Sequence, residues 1–200
     1  SVCSGQVLHC PYDFDKAKLV VKEMTDLMTL DLVDKRLVTD QIVLTVGYDI
    51  ENLTDPDRYR KYKGSVTIDR YGRKVPKHAH GKRKTSSTML ITNAVMELYD
   101  RIVDKNLLIR RINITANKLV DESFSKEEET YEQLDLFTDY TVKEQEQAEE
   151  EAVLEREKRM QQTMLTIKKK FGKNAILKGM NLQEGATAKD RNEQIGGHKA

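Results

Sequence analysis

The side chains that could carry out catalysis are few and poorly arranged. His78 and His80 form an HxH pair, but the lysines and arginines around them would repel a divalent metal ion. The acidic residues between Asp49 and Asp57 lack a strand that would hold them as a carboxylate pair, so a solvated turn is the better interpretation. The two cysteines form no CxxC pair, and no GxxxxGK[ST], GxGxxG or GxSxG motif occurs. The sequence therefore predicts no catalytic site, metal site or cofactor in this chain.

Positive charge is concentrated in one stretch. Eleven basic residues and one acidic residue lie between Arg58 and Lys84. Residues 121–159 instead contain fifteen acidic and five basic residues, so the overall charge of +1 hides two opposite blocks. A surface that only needs solubility intersperses its charges, and we therefore favour nucleic acid as the ligand of the basic block. The acidic block would be repelled by nucleic acid and is expected to stay solvated.

The spacing of apolar residues predicts a β-α-β-β-α-β order for residues 1–120. Strands are expected at 2–8, 41–48, 82–86 and 107–120. Helices are expected to begin at Asp13 and near Ser87 or Thr88, each of which could cap a helix. The long connection 49–81 could contain a hairpin around Tyr71-Gly72. This order indicates an α+β, split ferredoxin-like fold, in which two helices cover one face of a four-stranded antiparallel sheet.

The opposite face of that sheet is expected to be open and polar. Strand alternation assigns to it Gln41, Thr45, Lys82, Lys84, Arg111, Asn113 and Thr115. Side chains of these types contact phosphate and sugar oxygens. Tyr48 falls on the buried side, so no aromatic residue is available to stack on bases. The pattern favours the backbone of a duplex over single-stranded nucleic acid.

The second part of the chain is predicted to have three segments. An acidic linker, 121–140, contains the apolar sequence QLDLF, which comprises Gln133, Leu134, Asp135, Leu136 and Phe137. Such a segment either docks on a partner protein or packs as a short turn on the domain, and its acidic flanks favour the partner. A long exposed helix, 141–171, and a glycine-containing flexible tail, 172–200, should follow. No apolar run approaches the roughly 20 residues of a membrane span, and no secretion signal is evident, so we expect no membrane contact and a cytoplasmic protein.

Three segments of the chain resemble the corresponding segments of one protein family. SVCSGQVL, GKRKTSS and LLIRRINIT occur in the order seen in the little finger, the polymerase-associated domain of bacterial Y-family translesion DNA polymerases of the UmuC-like branch. The resemblance covers residues 1–120, and QLDLF is similar at all five positions to the pentapeptide that binds the bacterial sliding clamp. It implies a role in translesion synthesis and DNA repair in the SOS response, with duplex primer-template DNA and the sliding clamp as partners. The implied DNA-binding residues are Lys82, Arg83, Lys84, Thr85, Arg111, Asn113 and Thr115. Thr115 stands where several relatives carry a cation.

Nothing in the chain resembles the catalytic palm, in which carboxylates hold magnesium. We expect the palm to precede Ser1 in the parent polymerase and this chain to be inactive alone. Two alternatives stay open: a stand-alone nucleic-acid-binding regulator that engages the clamp, and an adaptor whose long helix self-associates.

Overall fold

A computed structural model describes residues 1–84, 90–125 and 140–193 of the chain. The strands are β1 (Val2–Tyr12), β2 (Leu37–Tyr48), β3 (Val66–Ile68), β4 (Lys74–Pro76), β5 (Ala79–Lys84) and β6 (Ile109–Asp121). The helices are α1 (Phe14–Asp34), α2 (Glu51–Thr54), α3 (Pro56–Lys61), α4 (Leu90–Ile102), α5 (Glu122–Ser125), α6 (Tyr140–Phe171) and α7 (Ala188–Asn192), with a 3₁₀ turn at Gly179–Leu182.

Four strands form an antiparallel sheet in the order β1-β6-β2-β5. Strand β6 therefore lies between β1 and β2, and β2 lies between β5 and β6, so each βαβ unit is split by a strand of the other. The α+β class, the element order and the split arrangement expected from the sequence are confirmed. Strand β5 begins at Ala79, earlier than the predicted start at Lys82.

Helices α1 and α4 pack on one face of this sheet. Asp13 caps α1, since its carboxylate accepts a hydrogen bond from the Lys16 backbone N–H at 2.9 Å, as the sequence predicted. The inward side chains of the central strands, among them Ile42, Leu44, Ile112 and Ile114, are fully buried. At Gly81 a Cβ atom would lie 2.8 Å from Leu98 Cδ1, so the absence of a side chain lets α4 approach β5 closely.

The connection between β2 and β5 is more ordered than expected. It contains α2, α3 and the antiparallel β3–β4 hairpin, and only the hairpin was predicted. Asn52 ties α2 to the start of β6, because its side chain donates to Leu108 O and accepts from Leu108 N, both at 2.8 Å. Asp55 caps α3 by accepting from the backbone N–H groups of Asp57 and Arg58.

Residues 172–193, for which the sequence predicts a flexible tail, pack against α1. Lys178 pairs with Asp26, and the buried carboxylate of Glu23 accepts hydrogen bonds from Asn181, Thr187 and Ala188. The glycines of this segment predict flexibility. However, Gly172 and Gly185 have φ values of 101° and 88°, in the left-handed region that favours glycine, and they make defined turns. Residues 194–200 lie outside the described part of the chain.

Helix α6 matches the long helix predicted from the sequence. It runs for 32 residues and ends in three lysines, and Lys169 pairs with Asp34 at the C-terminal end of α1. Across the described ranges, neither this helix nor any other is apolar over a length sufficient to span a bilayer.

Candidate nucleic-acid interface

The face of the sheet turned away from α1 and α4, called here the open face, is built by strand alternation. Pairing in register places Thr45 between Asn113 and His80, and Val43 between Thr115 and Lys82. Gln41 pairs with Lys84, and Gly47 pairs with Arg111. All seven side chains that the sequence assigned to this face therefore lie on it: Gln41, Thr45, Lys82, Lys84, Arg111, Asn113 and Thr115.

Arg83, which the family resemblance placed among the DNA-binding residues, does not lie on the open face, and its contact with DNA stays a prediction. Its side chain points to the helix layer and pairs with Glu97 of α4. The cause is the two-residue period of a strand, which sends the middle member of the Lys82–Lys84 run to the opposite side. Thr85, the remaining residue of that assignment on this strand, lies outside the described residues.

The open face carries positive charge without matching negative charge. Its fourteen positions include no Asp or Glu; they are Cys3, Gly5, Val7, Gln41, Val43, Thr45, Gly47, His80, Lys82, Lys84, Arg111, Asn113, Thr115 and Asn117. Lys82, Lys84 and Arg111 are exposed, and none of them forms an ion pair within the ranges that the structure describes. Arg110, by contrast, lies 3.8 Å from the Asp49 carboxylate and donates to the carbonyl of His9.

The middle of the open face is polar. Cys3 Sγ donates to Asn113 Oδ1 at 3.1 Å, and Thr45 Oγ1 lies 2.9 Å from His80 Nδ1. Tyr48 is buried on the other side, as expected, where its hydroxyl accepts from the Asp104 backbone N–H and burial raises its pKa. The face thus presents hydroxyl, amide and ammonium groups and no aromatic ring of Phe, Tyr or Trp among its fourteen positions.

A cleft of about 500 Å³ lies where the open face meets the β3–β4 hairpin. Gly47 and Arg111 line it from the sheet, and Ile68, Arg70 and Arg73 line it from the hairpin. The sequence indicated both the hairpin and its charge, but it gave no signal for this proximity. The residues that line the cleft come from parts of the chain that are distant in sequence.

The remaining candidate groups have structural roles or form no cluster. Asp49 accepts from the backbone N–H of Glu51, so two of the four clustered carboxylates, Asp49 and Asp55, serve as local caps. The rings of His78 and His80 are 6.4 Å apart, and residues 1–84, 90–125 and 140–193 contain no group of three or more His, Cys, Asp or Glu residues able to hold a metal ion. The QLDLF segment lies between α5 and α6, outside the described residues.

Comparison with known proteins gives a family. No curated protein matches the chain. The model of the impB/mucB/samB family C-terminal domain matches residues 1–136, which include the whole four-stranded sheet, both covering helices and the hairpin. The match extends beyond β6 as far as Leu136. The chain therefore belongs to the impB/mucB/samB family and carries the C-terminal, little-finger domain of a UmuC-like Y-family DNA polymerase.

Proposed function

We propose that this chain is the DNA-holding part of an error-prone polymerase in translesion synthesis, and that its open face binds the backbone of primer-template duplex. The uncompensated charge of Lys82, Lys84 and Arg111 carries this proposal. Cations without a carboxylate neighbour keep their attraction for phosphate. When such cations bind DNA phosphates, they release the counterions that were condensed on the DNA. Asn113, Thr115 and Thr45 add hydrogen bonds to sugar and phosphate oxygens, which position a duplex without specifying its sequence.

The test uses fluorescence anisotropy with a labelled blunt duplex over a range of salt concentrations. The double variant Lys82→Ala/Arg111→Ala should bind more weakly, and the slope of log K against log salt should fall by about 0.9 for each phosphate that the variant no longer neutralises. Arg83→Ala is the matched control, because it removes a cation from the same strand on the opposite face. If Arg83→Ala weakened binding as much as the double variant, the open face would not be the DNA-binding surface.

We also propose that the QLDLF segment binds the bacterial sliding clamp and so tethers the polymerase to it. The support is its composition: Leu134, Leu136 and Phe137 stand in a segment whose neighbours are mainly acidic, so an apolar pocket on a partner would bury them. Tethering raises the local concentration of the DNA-binding domain at the primer terminus without any additional DNA contact.

This second proposal is tested by binding to immobilised clamp. Leu136→Ala/Phe137→Ala should abolish clamp binding and leave duplex affinity unchanged. Leu182→Ala is the control, since it removes a strongly exposed leucine of the 3₁₀ turn, outside the QLDLF segment. Loss of clamp and duplex binding together would show that the motif supports the structure instead.

A further inference from the structure

The β3–β4 hairpin combines features that the open face lacks. Between Val66 and Pro76 it contains three basic residues, Arg70, Arg73 and Lys74, and one acidic residue, Asp69. The hairpin also presents apolar surface, because Ile68 is 67% exposed and Tyr71 is 63% exposed. Exposed apolar groups among cations are typical of a surface that binds a ligand with flat apolar faces and negative charge.

Asp69 holds the turn of the hairpin in one conformation. Its Oδ1 atom accepts from the backbone N–H groups of Tyr71 and Arg73, each at 2.9 Å, and its Oδ2 atom accepts from Arg73 Nε at 2.9 Å. These hydrogen bonds, led by that from the Arg73 backbone, hold the pKa of Asp69 below its ordinary value. Gly72 supplies the left-handed residue of the turn, with φ of 78°. Tyr71 is therefore displayed at a fixed tip.

Two guanidinium groups lie over the Tyr71 ring as cation–π contacts. The Cζ atoms of Arg70 and Arg73 are 4.7 Å and 5.0 Å from the ring centroid. Arg73 is neutralised by Asp69, whereas Arg70 forms no ion pair among the described residues and donates to the Tyr71 hydroxyl. An exposed ring with an available cation matches the arrangement by which proteins stack on unpaired bases while holding the adjacent phosphate.

The location of the hairpin identifies which nucleic acid could reach it. Arg111 of the open face and Arg70 of the hairpin line the same cleft. We propose that Tyr71 and Arg70 bind unpaired bases of a DNA strand where it leaves a duplex held on the open face. The inference rests on the proposed duplex contact, since the sheet would bind the paired part and the hairpin the single-stranded part. A blunt duplex offers the hairpin no unpaired base, so the two surfaces are separable by experiment.

The test compares a labelled blunt duplex with the same duplex carrying a short single-stranded extension. The native chain should bind the extended duplex more tightly. Tyr71→Ala should weaken binding to the extended duplex by about five-fold or more, the effect of leaving one base unstacked, and should leave the blunt duplex unaffected. Tyr71→Phe should retain the tighter binding because it keeps the ring.

Tyr59→Ala is the matched control, because Tyr59 is 60% exposed, close to the exposure of Tyr71, but lies on α3 and not on the hairpin. Unchanged binding of the extended duplex by Tyr71→Ala, or an equal decrease in affinity for both probes, would overturn the inference. The proposed duplex contact is judged separately by Lys82→Ala/Arg111→Ala on the blunt probe. Since Tyr71 contributes nothing to the buried core, circular dichroism melting should show that its variants remain folded.

Discussion

Replacing Glu23 with alanine is expected to release the C-terminal segment from α1. Glu23 is 1% exposed and lies at the centre of that contact. Its carboxylate accepts from the Asn181 side chain at 2.8 Å and from the backbone N–H groups of Thr187 and Ala188 at 2.7 Å and 3.1 Å. Because Ala188 begins α7, Glu23 caps that helix from a distant part of the chain.

The size of the effect follows from the donors that would be left without an acceptor. A hydrogen bond to a charged group contributes about 1.5–3 kcal/mol, and three bonds to one carboxylate do not add fully. Leaving a buried donor without an acceptor costs about 1–3 kcal/mol, so the three donors together should cost about 3–5 kcal/mol. At about 1.4 kcal/mol per factor of ten, detachment of residues 178–193 should become more frequent by about two to three and a half orders of magnitude.

Hydrogen exchange followed by mass spectrometry measures this detachment directly. Peptides from residues 178–193 should lose protection in Glu23→Ala, whereas peptides from β2 and β6 should keep theirs, because the core of the sheet does not include the tail. Glu184→Gln is the control, since this exposed carboxylate pairs only at the surface with Lys16. Unchanged protection of 178–193 in Glu23→Ala would refute the reasoning. Duplex DNA affinity should be unaffected, since the tail and the open face lie on opposite sides of the sheet.

Three further substitutions test the packing that supports the interface. Gly81→Ala should destabilise the fold by about 1–3 kcal/mol in urea unfolding, because the new Cβ would meet Leu98, whereas Gly179→Ala, which meets nothing within 4 Å, should not. Asn52→Ala should cost about 1–3 kcal/mol in the same assay, because the partly buried Leu108 N–H loses its acceptor, whereas Leu108 O keeps the hydrogen bond from the Asp49 backbone N–H. Burial raises the pKa of Tyr99 well above its ordinary value, so the stability that the neutral phenol contributes is complete below about pH 10 and declines at higher pH. In Tyr99→Phe, the urea midpoint should lose the part of its alkaline decline that Tyr99 causes.

The sheet was predictable because its pattern is local. Alternation in Gln41–Tyr48 identified both the buried and the open face of β2, and the capping preference of Asp13 located the start of α1. The same rule separates Arg83 from Lys82 and Lys84: alternation assigns the two lysines to the open face, whereas Arg83 was included in the DNA-binding set through the family resemblance and pairs with Glu97 on the helix side.

The tail and the hairpin could not be placed in this way because their positions depend on distant partners. Nothing near Glu23 in sequence indicates that its carboxylate meets backbone groups at residues 187 and 188. Likewise, Arg70 and Arg111 line the same cleft although they are distant in sequence. Composition indicated that the connection was basic and the tail glycine-containing, but composition carries no information on which surfaces come together.

The two sides of the sheet differ in whether their charged groups are paired within the chain. On the helix side, α1 offers Glu23 and Asp26 to a segment of its own chain: Lys178 pairs with Asp26, and amide and backbone N–H groups donate hydrogen bonds to Glu23. On the open side, the cations of β5 and β6 meet no such complement in the described chain. A charge that is satisfied internally stabilises a fold, whereas one left without a counterpart retains its attraction for an external ion. The asymmetry of charge satisfaction, rather than the number of basic residues, therefore marks the open face as the surface available to a polyanion.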